Sequence, residues 1–367
     1  MRGLRVVAAI AASCAMALAS PAAAKAPLLS CPLAGAPFSV DGPLVDVLLS
    51  PRASALLRAA FPGKVEGLPP LMATTKAPTF GAIMSIRGMA KWMGWPTASL
   101  AALDADLRQL PVTGADRIAR CARYDDDRPV FRLPPRKPAI LLFAKITGFR
   151  DGPSVEAGQR AVERLARENG WAVVVTDKGG VMRPEILRRF RVVVWNNVSG
   201  DVLTLPQRAA FRRYVEQGGG YVGIHGSAGD PLAFWDWYLD RLVGARFLGH
   251  PRDPQFQRAT IRMERSPLGA KVPAEWSLTD EWYSFTANPR QSGAHVVATL
   301  DERSYAPGPE FTMGDHPIAW TRDVGRGRSF YSAIGHRPEV YDDARVLELM
   351  RAGIAWAGKL GPNLKER

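Results

Sequence analysis

The sequence predicts an α/β protein in which a doubly wound, mostly parallel sheet is preceded by a small, mainly helical N-terminal domain. From Ala139 onward, apolar runs that could be buried on both faces alternate with amphipathic helical patterns, which is typical of parallel strands joined by right-handed crossovers. Before that point the apolar residues follow helical spacing. With 367 residues, 47% of them hydrophobic, the chain is long enough for about two domains.

The N-terminus has the pattern of an export signal. Arg2 and Arg5 precede the apolar run Val6–Leu18, and Ala22–Ala24 supplies the small residues that a signal peptidase accepts. A retained anchor is the alternative, but the apolar run is short for a span of about 20 residues. We therefore predict a signal peptide over residues 1–24, a periplasmic or secreted mature protein, and no integral membrane segment after cleavage.

The cysteines fit an oxidising compartment. Cleavage removes Cys14 and leaves Cys31 and Cys121 as the two cysteines of the mature chain. A disulfide between them would close a loop of roughly 90 residues, for which the loop-entropy model gives about 4 kcal/mol of stabilisation. Two free, buried thiols are the alternative.

Residues 27–132 are predicted to form the small helical domain. Helical spacing covers Ser50–Phe61 and Ser99–Leu110, and the Pro- and Thr-rich segment Leu68–Thr79 between them reads as a loop. A charged, proline-rich stretch begins at Asp125, and its last part, residues 133–138, is the predicted linker to the α/β domain. No motif in this region indicates chemistry.

The formal net charge of +13 is high, but it does not indicate a nucleic-acid partner. The arginines are spread along predicted helix faces and form no dense basic stripe, and an exported protein rarely meets nucleic acid. The charge therefore indicates solvated helix surfaces.

The α/β domain is predicted over residues 139–358. Its elements are assigned from continuous apolar runs for strands and from 3.6-residue periodicity for helices. The predicted strands are Ile140–Ala144, Trp171–Thr176, Val192–Trp195, Tyr221–Ile224, His295–Leu300, Pro317–Thr321 and Ser329–Ile334, and the predicted helices are Ser154–Asn169, Glu185–Arg191, Pro206–Gln217 and Ala344–Trp356.

Ligands of open α/β sheets bind beyond the carboxyl ends of the strands, where loops and helix N-termini converge. This rule selects four segments, which are Lys145–Arg150, Asn196–Asp201, His225–Ser227 and Gly335–His336. The third has the pattern of a strand-to-helix elbow that presents His225. Because the domain has no cysteine, thiol-based amide hydrolysis is excluded.

The domain resembles the ThuA-like (trehalose-utilisation) family, whose fold is related to flavodoxin-like class I glutamine amidotransferases. The stretches that carry the resemblance are Phe143–Arg150, Asn197–Leu203, Gly219–His225, His250–Pro251, Asp280–Tyr283, Asn288–Arg290, Gly314–Trp320 and Gly335–His336. Two positions depart from the family pattern. Asp151 stands where a histidine is usual, and Gly226 replaces the alanine that commonly follows the elbow histidine.

The resemblance implies an enzyme that acts on a carbohydrate or keto-sugar of the trehalose-like disaccharide class, as a hydrolase, lyase or isomerase. Imidazole and carboxylate groups suit proton transfer near neutral pH. The expected catalytic residues are His225, His336, His316 and Glu281. The expected substrate-binding residues are Lys145, Arg150, Asn197, Asp230, Trp282, Tyr283 and Arg290.

A Zn-like divalent metal is a second expectation, with His225, His336, His316 and Asp280 as its ligands, although no motif such as HExxH supports it. For His250 and His316, hydrogen bonding within the fold is an equally good reading. A non-catalytic carbohydrate-binding or regulatory protein on the same fold is the alternative to an enzyme.

Overall fold

The computed structural model describes residues 26–231 and 235–361. The predicted signal peptide and Cys14 lie outside these residues. Within the described part of the chain, no helix combines the length and the apolarity needed to cross a membrane.

The N-terminal region is helical, as predicted. The helices predicted at Ser50–Phe61 and Ser99–Leu110 are confirmed with ends shifted by one residue, while a short helix interrupts the predicted loop Leu68–Thr79. Apolar side chains of these helices pack into their own core, separate from that of the sheet. The helices are α1 (Leu44–Leu48), α2 (Pro51–Ala60), α3 (Pro70–Ala73), α4 (Ile86–Met93), α5 (Leu100–Gln109) and α6 (Gly114–Cys121).

A disulfide joins Cys31 to Cys121, with 5.4 Å between their Cα atoms, and so connects the start of the helical region to its end. The acidic stretch that follows is fixed to the α/β domain. The Asp125 carboxylate accepts a hydrogen bond from the Gly179 amide at 2.8 Å and pairs with Lys145 at 2.5 Å. The segment before the sheet is therefore packed on the domain that it precedes.

Nine strands of the described chain form the main sheet, in the order β2-β1-β3-β4-β11-β10-β9-β6-β7. A separate pair is formed by β5 and β8. The strands are β1 (Ala139–Phe143), β2 (Ala172–Thr176), β3 (Val192–Asn196), β4 (Gly220–Ile224), β5 (Phe247–Gly249), β6 (Phe256–Met263), β7 (Glu275–Glu281), β8 (Ser284–Phe285), β9 (His295–Asp301), β10 (His316–Val324) and β11 (Gly327–Ser332).

The sheet has a parallel half and an antiparallel half. Strands β2, β1, β3, β4 and β11 are parallel and follow the order of flavodoxin-like sheets, whereas β10, β9, β6 and β7 run antiparallel to their neighbours. All seven predicted strands are present. Strands β6 and β7 were not predicted, so the sheet is larger and more mixed than expected.

Helices cover both faces of the parallel half. On one face the Asn196 side chain of β3 donates to the backbone of α7 (Gly152–Glu168), while on the other Trp195 stacks on Phe211 of α9 (Leu205–Glu216). Of the remaining helices, α10 (Ala344–Ala357) matches the prediction, but α8 spans only Pro184–Leu187 of the longer helix expected there.

The antiparallel half curves back toward the parallel half. Three strands separate β7 from β11 in the sheet, yet Asp280 at the end of β7 accepts hydrogen bonds from the backbone that follows β11. This curvature brings the end of an edge strand to the carboxyl ends of the parallel strands.

Candidate functional site

His225 begins the turn that follows β4 and has a left-handed backbone, with φ of 39°. Such a conformation is strained for a residue with a side chain and is typical of functional sites. Its Nδ1 lies 2.7 Å from the Ala333 carbonyl oxygen, so Nδ1–H donates and Nε2 carries the lone pair in the neutral ring. The imidazole stacks on the Tyr283 ring, whose centroid is 4.1 Å away. The elbow thus presents an oriented, buried imidazole.

Glu281 and His336 meet this imidazole. The Glu281 Oε2 atom lies 3.3 Å from His225 Nε2 and 2.9 Å from His336 Nδ1, and the two nitrogens are 3.2 Å apart. Glu281 is almost completely buried and comes from the end of β7, while His336 follows β11. We call these three residues the His–Glu cluster.

The electrostatics of the cluster favour a charged carboxylate. Burial opposes ionisation of Glu281, but the interactions with the His225 and His336 imidazoles outweigh it and hold the pKa of this carboxyl well below its usual range. Burial also opposes protonation of His336, yet the bond to Glu281 raises the pKa of its imidazole. Because lone pairs at this spacing repel one another, the two imidazole nitrogens and the carboxylate oxygen need a shared proton or a metal ion between them.

The same three atoms fit a divalent metal. They lie within 4.8 Å of one another, and two imidazoles with one carboxylate form a known open site for Zn²⁺ or Fe²⁺. The hydrogen bond from His225 Nδ1 to a backbone carbonyl is the kind that orients a metal-binding histidine. The chemistry of the donor set therefore suits a metal as well as a proton.

Asp280, one residue before Glu281, points the other way, as alternation along a strand requires. Its two carboxylate oxygens accept hydrogen bonds from the Gly335 amide at 2.7 Å and the Arg337 amide at 2.9 Å, on either side of His336. Burial raises the pKa of this carboxyl. Asp280 therefore holds the loop that carries His336, and the structure does not place it among the ligand atoms where the sequence analysis put it.

Two further side chains reach the other oxygen of Glu281. His250 Nε2 lies 3.3 Å from Oε1, and the Gln255 amide donates to the same atom. The sequence leaves His250, which belongs to one of the matched stretches, open between a functional residue and one that hydrogen-bonds within the fold. No motif in the sequence points to Gln255, because its contact with Glu281 depends on the curvature of the sheet.

The cluster lies in the wall of a cavity of about 410 Å³, within the range of small-molecule sites. Of the predicted substrate-binding residues, Asn197, Asp230 and Tyr283 line it. Burial raises the pKa of Asp230 to about 7, against hydrogen bonds from the Ser199 hydroxyl and the Gly200 amide. The aromatic residues of the lining are Phe80, Trp92, Phe149, Phe247, Tyr283 and Phe311.

Four predicted binding residues are not in the lining of this cavity. Lys145 pairs with Asp125, Arg150 is exposed, and the Trp282 indole is buried and donates to the Gln257 carbonyl oxygen. Arg290 pairs with Asp315 and Glu264 on the surface. Their positions follow from ion pairing and core packing, which the strand-end rule does not take into account.

His316 is also separate from the cluster. It is completely buried, its Nδ1 lies 2.8 Å from the Glu302 carboxylate, and its Nε2 lies 2.9 Å from the Tyr283 carbonyl oxygen. Both nitrogens therefore have partners inside the fold. The structure gives His316 a packing position instead of the catalytic and metal-binding position expected from the sequence.

Comparison with solved structures shows a shared fold. A ThuA-like protein from Bacteroides uniformis is 24% identical with a TM-score of 0.52, and the match covers 63% of this chain and 95% of that one. A second, from Parabacteroides merdae, is 16% identical with a TM-score of 0.45 and coverages of 61% and 90%. Among curated protein sequences, none matches.

An exo-β-1,4-mannosidase from an Opitutaceae bacterium matches over 61% of this chain and 36% of its own, with 16% identity and a TM-score of 0.39. The family model described as "ThuA: Trehalose utilisation" matches residues 139–357, which is more than half of the sequence and includes all three residues of the His–Glu cluster. The chain therefore belongs to the ThuA family.

Proposed function

We propose that this protein is an exported enzyme that binds a sugar or keto-sugar of the trehalose-like disaccharide class and acts on it with the His–Glu cluster. The observation that carries the proposal is the convergence of His225, Glu281 and His336 on a cavity lined by aromatic rings. Aromatic faces pack against the C–H faces of sugars, and a few oriented polar groups supply specificity. Membership of a family described by trehalose utilisation supports a carbohydrate-related role.

In the acid–base form of the mechanism, Glu281 holds the proton on His336 and so keeps a positive imidazolium beside the substrate. His225, oriented by the Ala333 carbonyl, offers Nε2 as the proton acceptor. Proton transfer between such groups and a sugar serves cleavage of a glycosidic bond, elimination or isomerisation next to a carbonyl.

In the metal-assisted form, His225, His336 and Glu281 would hold the ion. A divalent metal there would supply Lewis-acid polarisation of a carbonyl or hydroxyl oxygen. Gln255 and His250, which contact the other oxygen of Glu281, keep the carboxylate oriented.

Export is part of the proposal. The disulfide between Cys31 and Cys121 supports it, because such bonds persist in oxidising compartments. The signal-like pattern of residues 1–24 points to the same location, the periplasm or the medium.

The first experiment compares the wild-type mature protein with His225→Ala, using His295→Ala as the matched control. His295 is an exposed histidine at the start of β9 and does not line the cavity. Turnover of trehalose and its keto derivatives is followed by mass spectrometry, and metal content by elemental analysis. We expect His225→Ala to lose activity by at least about 100-fold, the usual contribution of one acid–base group, and His295→Ala to retain it.

If the wild type binds a metal and His225→Ala does not, the metal-assisted form of the mechanism is supported. Equal activity of His225→Ala and the wild type would contradict the role of the cluster. Binding of the sugar without turnover would favour the alternative, a carbohydrate-binding protein, which is consistent with the absence of the amidotransferase cysteine from residues 139–358.

A further inference from the structure

One wall of the cavity comes from the helical region and not from the sheet. Phe80, Ile83, Met84 and Trp92, all from a segment that precedes the ThuA match, line the cavity together with the strand ends. Phe80 and Trp92 are only partly buried, whereas the core residues of their own region are almost fully buried. Both rings pack against the edge of that core, and the part of each ring that this packing leaves open lines the cavity.

A row of rings leads from the His–Glu cluster to this wall. The Phe149 centroid lies 6.2 Å from the His336 ring and 6.0 Å from the Phe80 ring, and the Phe80 centroid lies 5.5 Å from that of Trp92. Trp92 is thus three ring contacts away from the cluster. The cavity has a polar end, where chemistry is concentrated, and an aromatic end supplied largely by another part of the chain.

The aromatic end is held in place against the sheet. The Thr79 amide donates to the Thr147 carbonyl oxygen at 3.0 Å, directly beside Phe80. The two parts also approach closely at Gly148, where an added Cβ would lie 2.5 Å from Ile83 Cγ2 and 3.0 Å from the Gly200 amide nitrogen. The wall is therefore positioned before any ligand enters, which lowers the ordering cost of binding.

Arg252 adds a polar group to the aromatic end. Its guanidinium lies 5.3 Å from the Trp92 centroid and it lines the cavity. Among the described residues, no carboxylate lies within 4 Å of this guanidinium, so its N–H donors are not committed to an ion pair. Arg252 follows His250 by two residues, and His250 contacts Glu281. One short segment of the chain therefore lines both the polar end and the aromatic end of the cavity.

We propose that Phe80, Trp92 and Arg252 form an outer subsite for the second ring of a disaccharide, whose first ring lies at the His–Glu cluster. Trp92 and Phe80 provide apolar surface for the C–H face of a pyranose, and Arg252 donates hydrogen bonds to its hydroxyl oxygens. This inference rests on the proposed function and deepens it, because it assigns selectivity for a two-ring substrate to the helical region.

The test measures equilibrium binding of trehalose and of glucose to the mature protein by calorimetry. The variants are Trp92→Ala and, from the α/β domain, Arg252→Ala. Met93→Ala is the matched control, since Met93 is the neighbouring residue on α4, is exposed and does not line the cavity. We expect Trp92→Ala to weaken trehalose binding by about 3- to 10-fold, as loss of one aromatic contact does, and to leave glucose binding unchanged.

Arg252→Ala should reduce the trehalose preference in the same direction, and because Arg252 is exposed, its result does not depend on refolding of the helical region. Equal weakening of both sugars, or no weakening in either variant, would overturn the outer subsite while leaving the proposed function intact. The keto derivatives of both sugars are titrated in the same way, and failure of the wild type to bind any of the four would overturn both proposals.

Discussion

The α/β domain and the helical region contribute unlike chemistry to the same cavity. Among the described residues, the titratable groups of the lining, such as His225, Glu281 and His336, belong to the α/β domain, while the helical region supplies apolar and aromatic side chains such as Phe80 and Trp92. Under the proposed function, the reactive groups thus come from the α/β domain, whereas the outer subsite combines two rings of the helical region with Arg252. This division predicts that variants on one side change the chemistry and variants on the other change stability or selectivity.

The largest effect is expected at the centre of the polar side. Glu281→Gln removes the charge that His225 and His336 share, so the proton or metal between them loses its counter-charge. We expect turnover to fall by about 100- to 10,000-fold, while the preference for trehalose over glucose in binding is kept. Activity on a keto-disaccharide and calorimetric binding of both sugars measure the two quantities separately.

Glu310→Gln is the control for Glu281→Gln, since Glu310 is an exposed carboxylate outside the cavity lining. If Glu281→Gln changed sugar preference as strongly as turnover, the division between the two sides of the cavity would fail.

The helical region is expected to depend on its covalent closure. Replacing both Cys31 and Cys121 with serine opens a loop with a sequence separation of 90 residues. The loop-entropy model assigns this closure about 4 kcal/mol of the free energy of unfolding. Hydrogen exchange should show faster opening of α1 to α6 than in the wild type, with protection of the parallel strands unchanged.

The intact protein treated with reductant serves as the matched sample for this variant, because it removes the same bond without a substitution. Exchange that accelerates equally in the helices and in the sheet would show that the two regions unfold as one unit.

A third effect concerns Asp230 in the α/β domain. Its folded-state pKa of about 7 lies above the value near 4 of an unfolded aspartate, so the folded state holds more protons between these two pH values. The contribution of Asp230 to stability therefore falls as the pH rises from about 4 to 7. Asp230→Asn should remove this contribution, so that its melting temperature declines less than that of the wild type over this window.

Melting curves at closely spaced pH values measure this difference. A parallel decline of both proteins would mean that Asp230 is ionised throughout, held charged by the Ser199 hydroxyl and the Gly200 amide.

Much of the fold and part of the site could be predicted from the sequence. Strands such as Val192–Asn196 are apolar up to their last residue, and this pattern is visible locally. Because the carboxyl ends of parallel strands meet at one edge, the rule that selects His225 and His336 also places them side by side. The resemblance to the family added Glu281.

The remaining parts depend on contacts between distant segments. Strands β6 and β7 lie at the antiparallel end of the sheet, and their polar residues, such as Gln257 and Asp280, mask the apolar pattern of a strand. The position of Trp92 in the cavity follows from how two separate cores pack together. The separation of His316 from the cluster has a related cause, since its partner Glu302 is brought to it by the segment between β9 and β10.

The adjacent carboxylates at the end of β7 make the site sensitive to register. Asp280 secures the backbone around His336 and Glu281 meets its ring, so one strand end determines both where this histidine is and what it touches. A slip of one residue in the pairing of β6 and β7 would turn each side chain of β7 to the opposite face of the sheet. Asp280 would then no longer hold the backbone around His336, and Glu281 would no longer contact its ring, although composition and net charge would be unchanged. Insertions should therefore be tolerated in surface loops but not in the hairpin that connects these two strands.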